Sequence, residues 1–281
     1  MFALGLQDLA LSPSLLLGLS GLLFLLGLVV GSFLNVVIYR TVHGDQFVSG
    51  RSRCPHCSHV IAWYDNIPLL SFILLGKKCR SCHKPISWTY PVVEVLTGLL
   101  FVWWFVIGFT FFQLSIAPFV LIQPLFWLFV GAVFIVIFFA DLLYYIIPDS
   151  MVASLTIAAL SYRIALTHVG VFNPVDFTNT VIGAASLSLG LFALFVLTKG
   201  RGLGFGDVKL MFPLGLLMGW PSMLAGIWLS FVIGGVVGVM LLVSKKKSFG
   251  QIVPFGPFLL VGTMLALWQG DLLIQWYLGF L

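Results

Sequence analysis

The chain has 281 residues, of which 60% are hydrophobic and 8% charged, and its 14 Lys and Arg against 9 Asp and Glu leave a formal charge of +5. A soluble domain carries roughly a quarter charged residues, so disorder and a single soluble core are both excluded, and a mean hydropathy of +1.13 assigns the chain to the bilayer. The positive balance suits anionic lipid headgroups and requires no nucleic acid.

In chain order, apolar stretches of spanning length fall at about 14 to 38, 90 to 112, 118 to 140, 151 to 168, 178 to 198, 208 to 220, 222 to 243 and 253 to 269. Each satisfies its backbone hydrogen bonds in lipid only as a helix. The predicted fold is therefore an all-α polytopic membrane protein of about eight transmembrane helices. The first stretch, Leu15 to Ile38, is too long for a signal-peptide core and lacks a basic start and a small-residue cleavage site, so it reads as a retained span. The sixth is short and breaks at Trp220 and Pro221, which predicts a tight hairpin with the seventh. Residues 1–38 then form the first transmembrane helix, 39–89 a polar cytoplasmic insertion and 90–281 a transmembrane domain.

Basic residues stay on the cytoplasmic side of short loops. With the first helix running outside to inside, Arg40, Arg51, Arg53, Lys77, Lys78, Arg80, Lys84, Lys199, Arg201, Lys209, Lys245, Lys246 and Lys247 lie inside and only Arg163 lies toward the outside.

The polar insertion holds every cysteine: Cys54 and Cys57, then Cys79 and Cys82 after 21 intervening residues. Two such knuckles present four thiolates tetrahedrally, the arrangement of a structural zinc site. Two disulfides are the competing reading, disfavoured in a reducing cytoplasm. His56, His59 and His83 lie nearby as solvated knuckle residues, since four cysteines complete the shell. The Arg and Lys of this segment are not interleaved with aromatics as in a nucleic-acid platform.

Two carboxylates stand out. Asp141 closes an apolar run, and Asp207 closes Gly204-Phe205-Gly206-Asp207, with Gly202 two residues earlier. A carboxylate beside the hydrocarbon core costs very roughly 3 kcal/mol and is seldom placed there without a task. The glycines are expected to supply backbone angles closed to other residues and a close approach for substrate; a flexible linker and an N-cap aspartate is the plainer alternative. Both aspartates fall at one depth on one side, where paired carboxylates share a proton, one activating water while the other protonates the leaving group. Asp149, after Pro148, is expected to cap the next helix.

Other polar groups have ordinary roles available. Glu94 is a candidate substrate contact, against pairing with Lys84 or a helix-start role. Lys209 is expected to snorkel, Asn35 to bond another helix, and Asn66 to sit in a turn. Phe101, Trp103, Trp104, Phe105, Phe109, Phe111 and Phe112 read as lipid-facing packing and an interfacial belt. Gly234, Gly235 and Gly238 resemble a close-packing face, for packing within the chain or for dimerisation.

Taken together, Gly31 to Arg40, the two knuckles, Asn66 to Ser71, Tyr90 to Glu94, Asp141 to Asp149 and Gly204 to Asp207 resemble, in order and over nearly the whole chain, the bacterial type IV prepilin peptidases. The resemblance implies an inner-membrane aspartyl endopeptidase that removes the basic leader of prepilins and pseudopilins, typically after glycine, with catalytic aspartates matching Asp141 and Asp207. Many members then methylate the new N terminus from S-adenosylmethionine, a function tied in the family to the cysteine segment around Gly76. Gly204, Gly206 and Glu94 are candidate substrate contacts, the glycine loop by strand-like pairing with the unwound peptide. Two other classes remain open: a proton-coupled transporter or channel with a zinc-binding cap, and a non-enzymatic assembly factor of a secretion machine.

Overall fold

The computed structural model describes residues 12–44, 50–108, 119–246, 248 and 251–278. Lys247, Phe109, Phe111 and Phe112 lie outside these residues; of the other aromatics expected to face lipid, Trp103 is exposed but Phe101 is buried in the core, which corrects that expectation. In chain order the helices are α1 (Pro13–His43), α2 (Leu70–Leu74), α3 (Thr89–Trp103), α4 (Phe119–Tyr144), α5 (Asp149–His168), α6 (Pro174–Leu197), α7 (Phe205–Met218), α8 (Ser222–Val243) and α9 (Gly256–Leu278). No strand occurs among the described residues, only two isolated bridges in the cysteine segment.

Among the described residues six helical segments are long and apolar enough to cross a membrane: α1, α4, α5, α6, α8, and α3 together with its continuation to Val106. A π-helical turn at Trp104–Gly108 follows α3. The remaining two predicted spans differ in kind. The 14 residues of α7 extend only about 21 Å at 1.5 Å per residue, short of a bilayer core of about 30 Å. In α9 the apolar stretch is Gly256–Gly270.

The residues group into two compact units, Met1–Val136 and Ile137–Leu281, with α4 running from one into the other. In the first unit α1 packs along α3. Ser12 caps α1 by accepting from the Leu15 N–H, Pro13 occupies the first turn, and Gly44, left-handed at φ 74°, ends it. The close approach comes from small residues: a side-chain carbon at Gly27 would come within 2.7 Å of Gly98 Cα, and one at Gly31 within 2.7 Å of Glu94 Cα. Four residues apart, they form a small-residue face that lets two backbones meet in lipid. Asn35 adds the expected interhelical bond, its Nδ2 donating to Tyr90 O at 3.1 Å.

Gly27→Val or Gly31→Val is therefore expected to lower the melting temperature in detergent by the equivalent of about 1–3 kcal/mol of overpacking. Gly21→Val, where nothing lies within 4 Å, should not.

In the second unit α7 is the most enclosed helix, with Asp207, Val208, Leu210, Met211 and Pro213 through Met218 buried. The expected hairpin of the sixth and seventh spans is corrected: α7 lies chiefly against α6, and α8 against α9. Gly215 faces Ala184 closely enough that an added carbon would sit 2.8 Å from its Cβ, which draws α7 to α6 instead. Because α7 ends early, its last carbonyls need partners. Arg163 of α5, buried at 8% exposure, donates from Nε to Leu216 O and from Nη2 to Leu217 O. Arg163, the basic residue expected apart from the others, is thus a helix-end cap.

Of the three glycines expected to make a packing face on α8, Gly234 meets Phe255, just before α9, and Phe258 of α9, while within the chain nothing lies within 4 Å of Gly235 or Gly238.

Candidate functional site

Asp141 sits one turn before the end of α4. The helix stops where Tyr145 turns left-handed at φ 57°, and Pro148 is the N-cap of α5. Burial leaves Asp141 6% exposed, and its Oδ2 accepts from the Gly256 N–H at 2.9 Å.

Asp207 occupies the third position of α7, whose N-cap is Gly204. Its Oδ2 accepts from the Gly204 N–H at 3.0 Å, and the Asp207 N–H returns to Gly204 O at 3.2 Å. This is a capping box in which the carboxylate is the reaching side chain. Asp207 is 5% exposed, and its Oδ1 is buried without a hydrogen-bond partner among the described residues. An unpaired buried carboxylate oxygen is costly, so it marks a group held ready for something else.

The segments that hold the two carboxylates meet at one side chain, Ile147. Ile147 packs between their supports: an added carbon at Gly206 would be 3.1 Å from Ile147 Cβ, and one at Gly256 3.2 Å from Ile147 Cδ1. The glycine loop works differently from expectation. None of Gly202, Gly204 and Gly206 has positive φ, so space, not backbone angle, is what requires glycine. A carbon at Gly204 would crowd Asp207 Oδ2 at 3.1 Å, whereas Gly202 has only ordinary contacts. The N–H and C=O of Gly204 are both engaged with Asp207.

Asp149 and Lys209 also depart from expectation. Asp149 is the first residue of α5, and no side chain caps that helix. Instead the Asp149 carboxylate pairs with Lys209 Nζ, eight residues beyond Asp141 and two beyond Asp207. The pair ties the start of α5 to the start of α7, and Lys209 also lies 5.3 Å over the Phe205 ring.

Glu94 belongs to the first unit, Gly204 and Gly206 to the second. It is buried and bonded to Ser32, with Oε2 accepting from the Leu69 N–H at 2.9 Å. Leu69 has φ 58°, so Glu94 fixes a strained loop entering α2. Asn66 ends the turn Trp63–Asn66, as expected.

The cysteines converge. The Sγ atoms of Cys54, Cys57, Cys79 and Cys82 all lie within 4.8 Å of one another, with Cys54 and Cys82 3.9 Å apart. A tetrahedral ion with bonds of about 2.3 Å spaces its sulfurs about 3.8 Å apart, so the set is dimensioned for a metal ion. The two knuckles repeat each other. Cys54 N–H donates to His59 O and Cys79 N–H to Lys84 O, while Ser58 and His83 N–H return to Cys54 O and Cys79 O. Both returning residues are left-handed, at φ 57° and 56°. His56, His59 and His83 are outside the ligand group. Arg80 grips Asp65 with both ends of its fork, at 2.8 and 2.6 Å, and holds that carboxyl below its usual range. Gly76 is left-handed at φ 56° with open space around it.

Sequence reading did not find Gly256 or Ile147. Both are apolar residues in apolar surroundings, and only the fold brings them to the carboxylates.

Residues 25–107 match the model of the bacterial peptidase A24 N-terminal domain, and residues 127–239 that of the type IV leader peptidase family. The chain is 33% identical over 289 residues to a prepilin leader peptidase/N-methyltransferase of Aeromonas hydrophila, covering 92% of this chain and 93% of that protein. To proteins of the same name it is 35% identical over 284 residues in Pseudomonas aeruginosa, covering 91% and 92%, and 32% over 284 residues in Legionella pneumophila, covering 91% and 93%. No solved structure matches.

Proposed function

The chain belongs to the type IV leader peptidase family, and from that premise we propose that it is a membrane-embedded aspartyl endopeptidase that removes the leader of type IV prepilins and pseudopilins and then methylates the new N terminus. The observation that carries the peptidase reading is the pair Asp141 and Asp207: two buried carboxylates, each with Oδ2 held by a glycine N–H, beside glycines that both meet Ile147.

Such a pair shares one proton. The ionised member takes a proton from water as its oxygen attacks the scissile carbonyl; the protonated member gives its proton to the departing amine nitrogen. The pair, not either residue alone, owns the titration. Burial strengthens both interactions because little water screens them.

The distribution of basic residues supports placing both aspartates and the cysteine segment on the cytoplasmic face of the inner membrane. A basic leader followed by an apolar helix puts its scissile bond at that boundary. We assign residues 90–281 to the peptidase and 39–89 to a methylation-associated segment after the first transmembrane helix, residues 1–38.

Cys54, Cys57, Cys79 and Cys82 would hold Zn²⁺, which supplies structure there and leaves no open coordination position. S-adenosylmethionine supplies an electrophilic methyl group on a sulfonium. A groove of about 330 Å³ in the first unit, lined by Ser32, Phe33, Val36, Arg40, Ser52 and Asn66, would be the place for it. Gly76 is not in its lining.

The test is a purified preparation in detergent given a peptide with a basic leader, a glycine and an apolar stretch beginning with phenylalanine, plus methyl-labelled S-adenosylmethionine. Mass spectrometry should show two fragments with label on the apolar one. An uncut peptide contradicts the peptidase reading; cut but unlabelled product reduces it to a peptidase alone.

A further inference from the structure

We propose that Gly256 is a positioning residue of the peptidase centre, holding Asp141 from a helix outside both aspartate segments. The inference rests on the peptidase reading above. Gly256 lies 115 residues from Asp141 in sequence and beyond the residues that match the family model, 127–239.

Three observations converge on it. First, its N–H is donated to Asp141 Oδ2 at 2.9 Å with both groups buried. Second, an added carbon would lie 2.7 Å from Asp141 Oδ2 and 3.2 Å from Ile147 Cδ1, so a side chain at this position displaces the carboxylate that the N–H holds. Third, Gly256 opens α9, so the carboxylate meets the positive end of a helix dipole. The second aspartate is held in the same way, with Gly204 as N-cap of α7 donating to Asp207 Oδ2. Each half of the pair is therefore one carboxylate, one glycine N–H and one helix start, with its other oxygen left for water or substrate.

The start of α9 is itself anchored. Phe255 stacks on Phe231 of α8 with ring centroids 5.0 Å apart, and both Phe255 and Phe258 fill the space left by Gly234. That anchoring fixes where the Gly256 N–H points and so the orientation of the Asp141 carboxylate.

Displacing a reacting group by about 1 Å costs on the order of 100-fold. Gly256→Ala should accordingly lower kcat for leader cleavage by about 10- to 100-fold and leave KM within about threefold, because the substrate still binds. Gly238→Ala, open on all sides, should cleave like the wild type. Gly262→Ala, on the same helix but crowding Ser230, should lower thermal stability without the kcat-specific loss. Replacing residue 256 with glycolic acid by nonsense suppression turns the N–H into an ester oxygen and adds no carbon, so it isolates the hydrogen bond if the alanine variant misfolds. It should lower kcat about 10-fold at unchanged KM. An ester variant cutting within twofold of wild type overturns the inference. Activity surviving in Asp141→Asn overturns instead the reading it rests on.

Discussion

Replacing Asp141 or Asp207 by asparagine lowers kcat for leader cleavage by at least about 10³-fold while the protein stays folded. General acid–base catalysis by one positioned group is worth about 10²–10⁴-fold, and each substitution removes a partner that the other carboxylate needs. Structure should survive because asparagine keeps an oxygen in place. That oxygen still accepts from Gly256 at residue 141 or from Gly204 at residue 207. Either change also replaces a buried ionisable group with a neutral one of the same shape, so the melting temperature should hold or rise, the usual trade between a strained site and stability. Initial rates at saturating peptide, with melting curves on the same preparations, check both halves of the expectation.

The second large effect concerns the metal. Purified without chelator, the protein should carry one zinc ion per chain, and Cys54→Ser or Cys79→Ser should leave less than about a tenth of that. Around the knuckles there is little else to hold the segment: among its described residues, Cys54, Ser71 and Phe72 are the buried ones, and the Arg80–Asp65 bridge is largely exposed on the arginine side, at 61%. A surface bridge contributes at most about 1 kcal/mol, whereas structural zinc contributes about 10–16 kcal/mol in small metal-dependent modules. Metal loss should thus expose the segment from Gly50 to Trp88 to limited proteolysis. Elemental analysis and a protease time course read the two outcomes; full zinc content in both cysteine variants would rule out the four-thiolate site.

Both candidate centres stand out in the sequence for the same reason: each uses residue types that are rare in their surroundings. A carboxylate in an apolar run costs free energy, so Asp141 and Asp207 announce themselves. Paired cysteines at fixed spacing define a tetrahedron before any fold is known. What was not legible depends on long-range packing. Gly256 is one of 29 glycines, and nothing in Pro254-Phe255-Gly256-Pro257 says its N–H will meet a carboxylate 115 residues away. The glycine loop was found, but its reason was not, because steric room beside Asp207 Oδ2 and Ile147 exists only in the folded chain. Asp149 looked like a cap by position, yet Lys209 approaches it only once α5 and α7 lie side by side. Likewise Gly27 and Gly31 were passed over in favour of Gly234, Gly235 and Gly238, since glycine spacing alone does not tell a packed face from a lipid-facing one.

Leader cleavage by the wild type, Asp141→Asn, Asp207→Asn and the double variant, measured side by side on one peptide, tests the shared role of the two aspartates most directly. A pair that works as one unit loses nearly everything at the first substitution, so the double variant should be no slower than either single one by more than about threefold. Cleavage near the wild-type rate in either single variant, or losses that multiply in the double, would contradict a shared-proton pair.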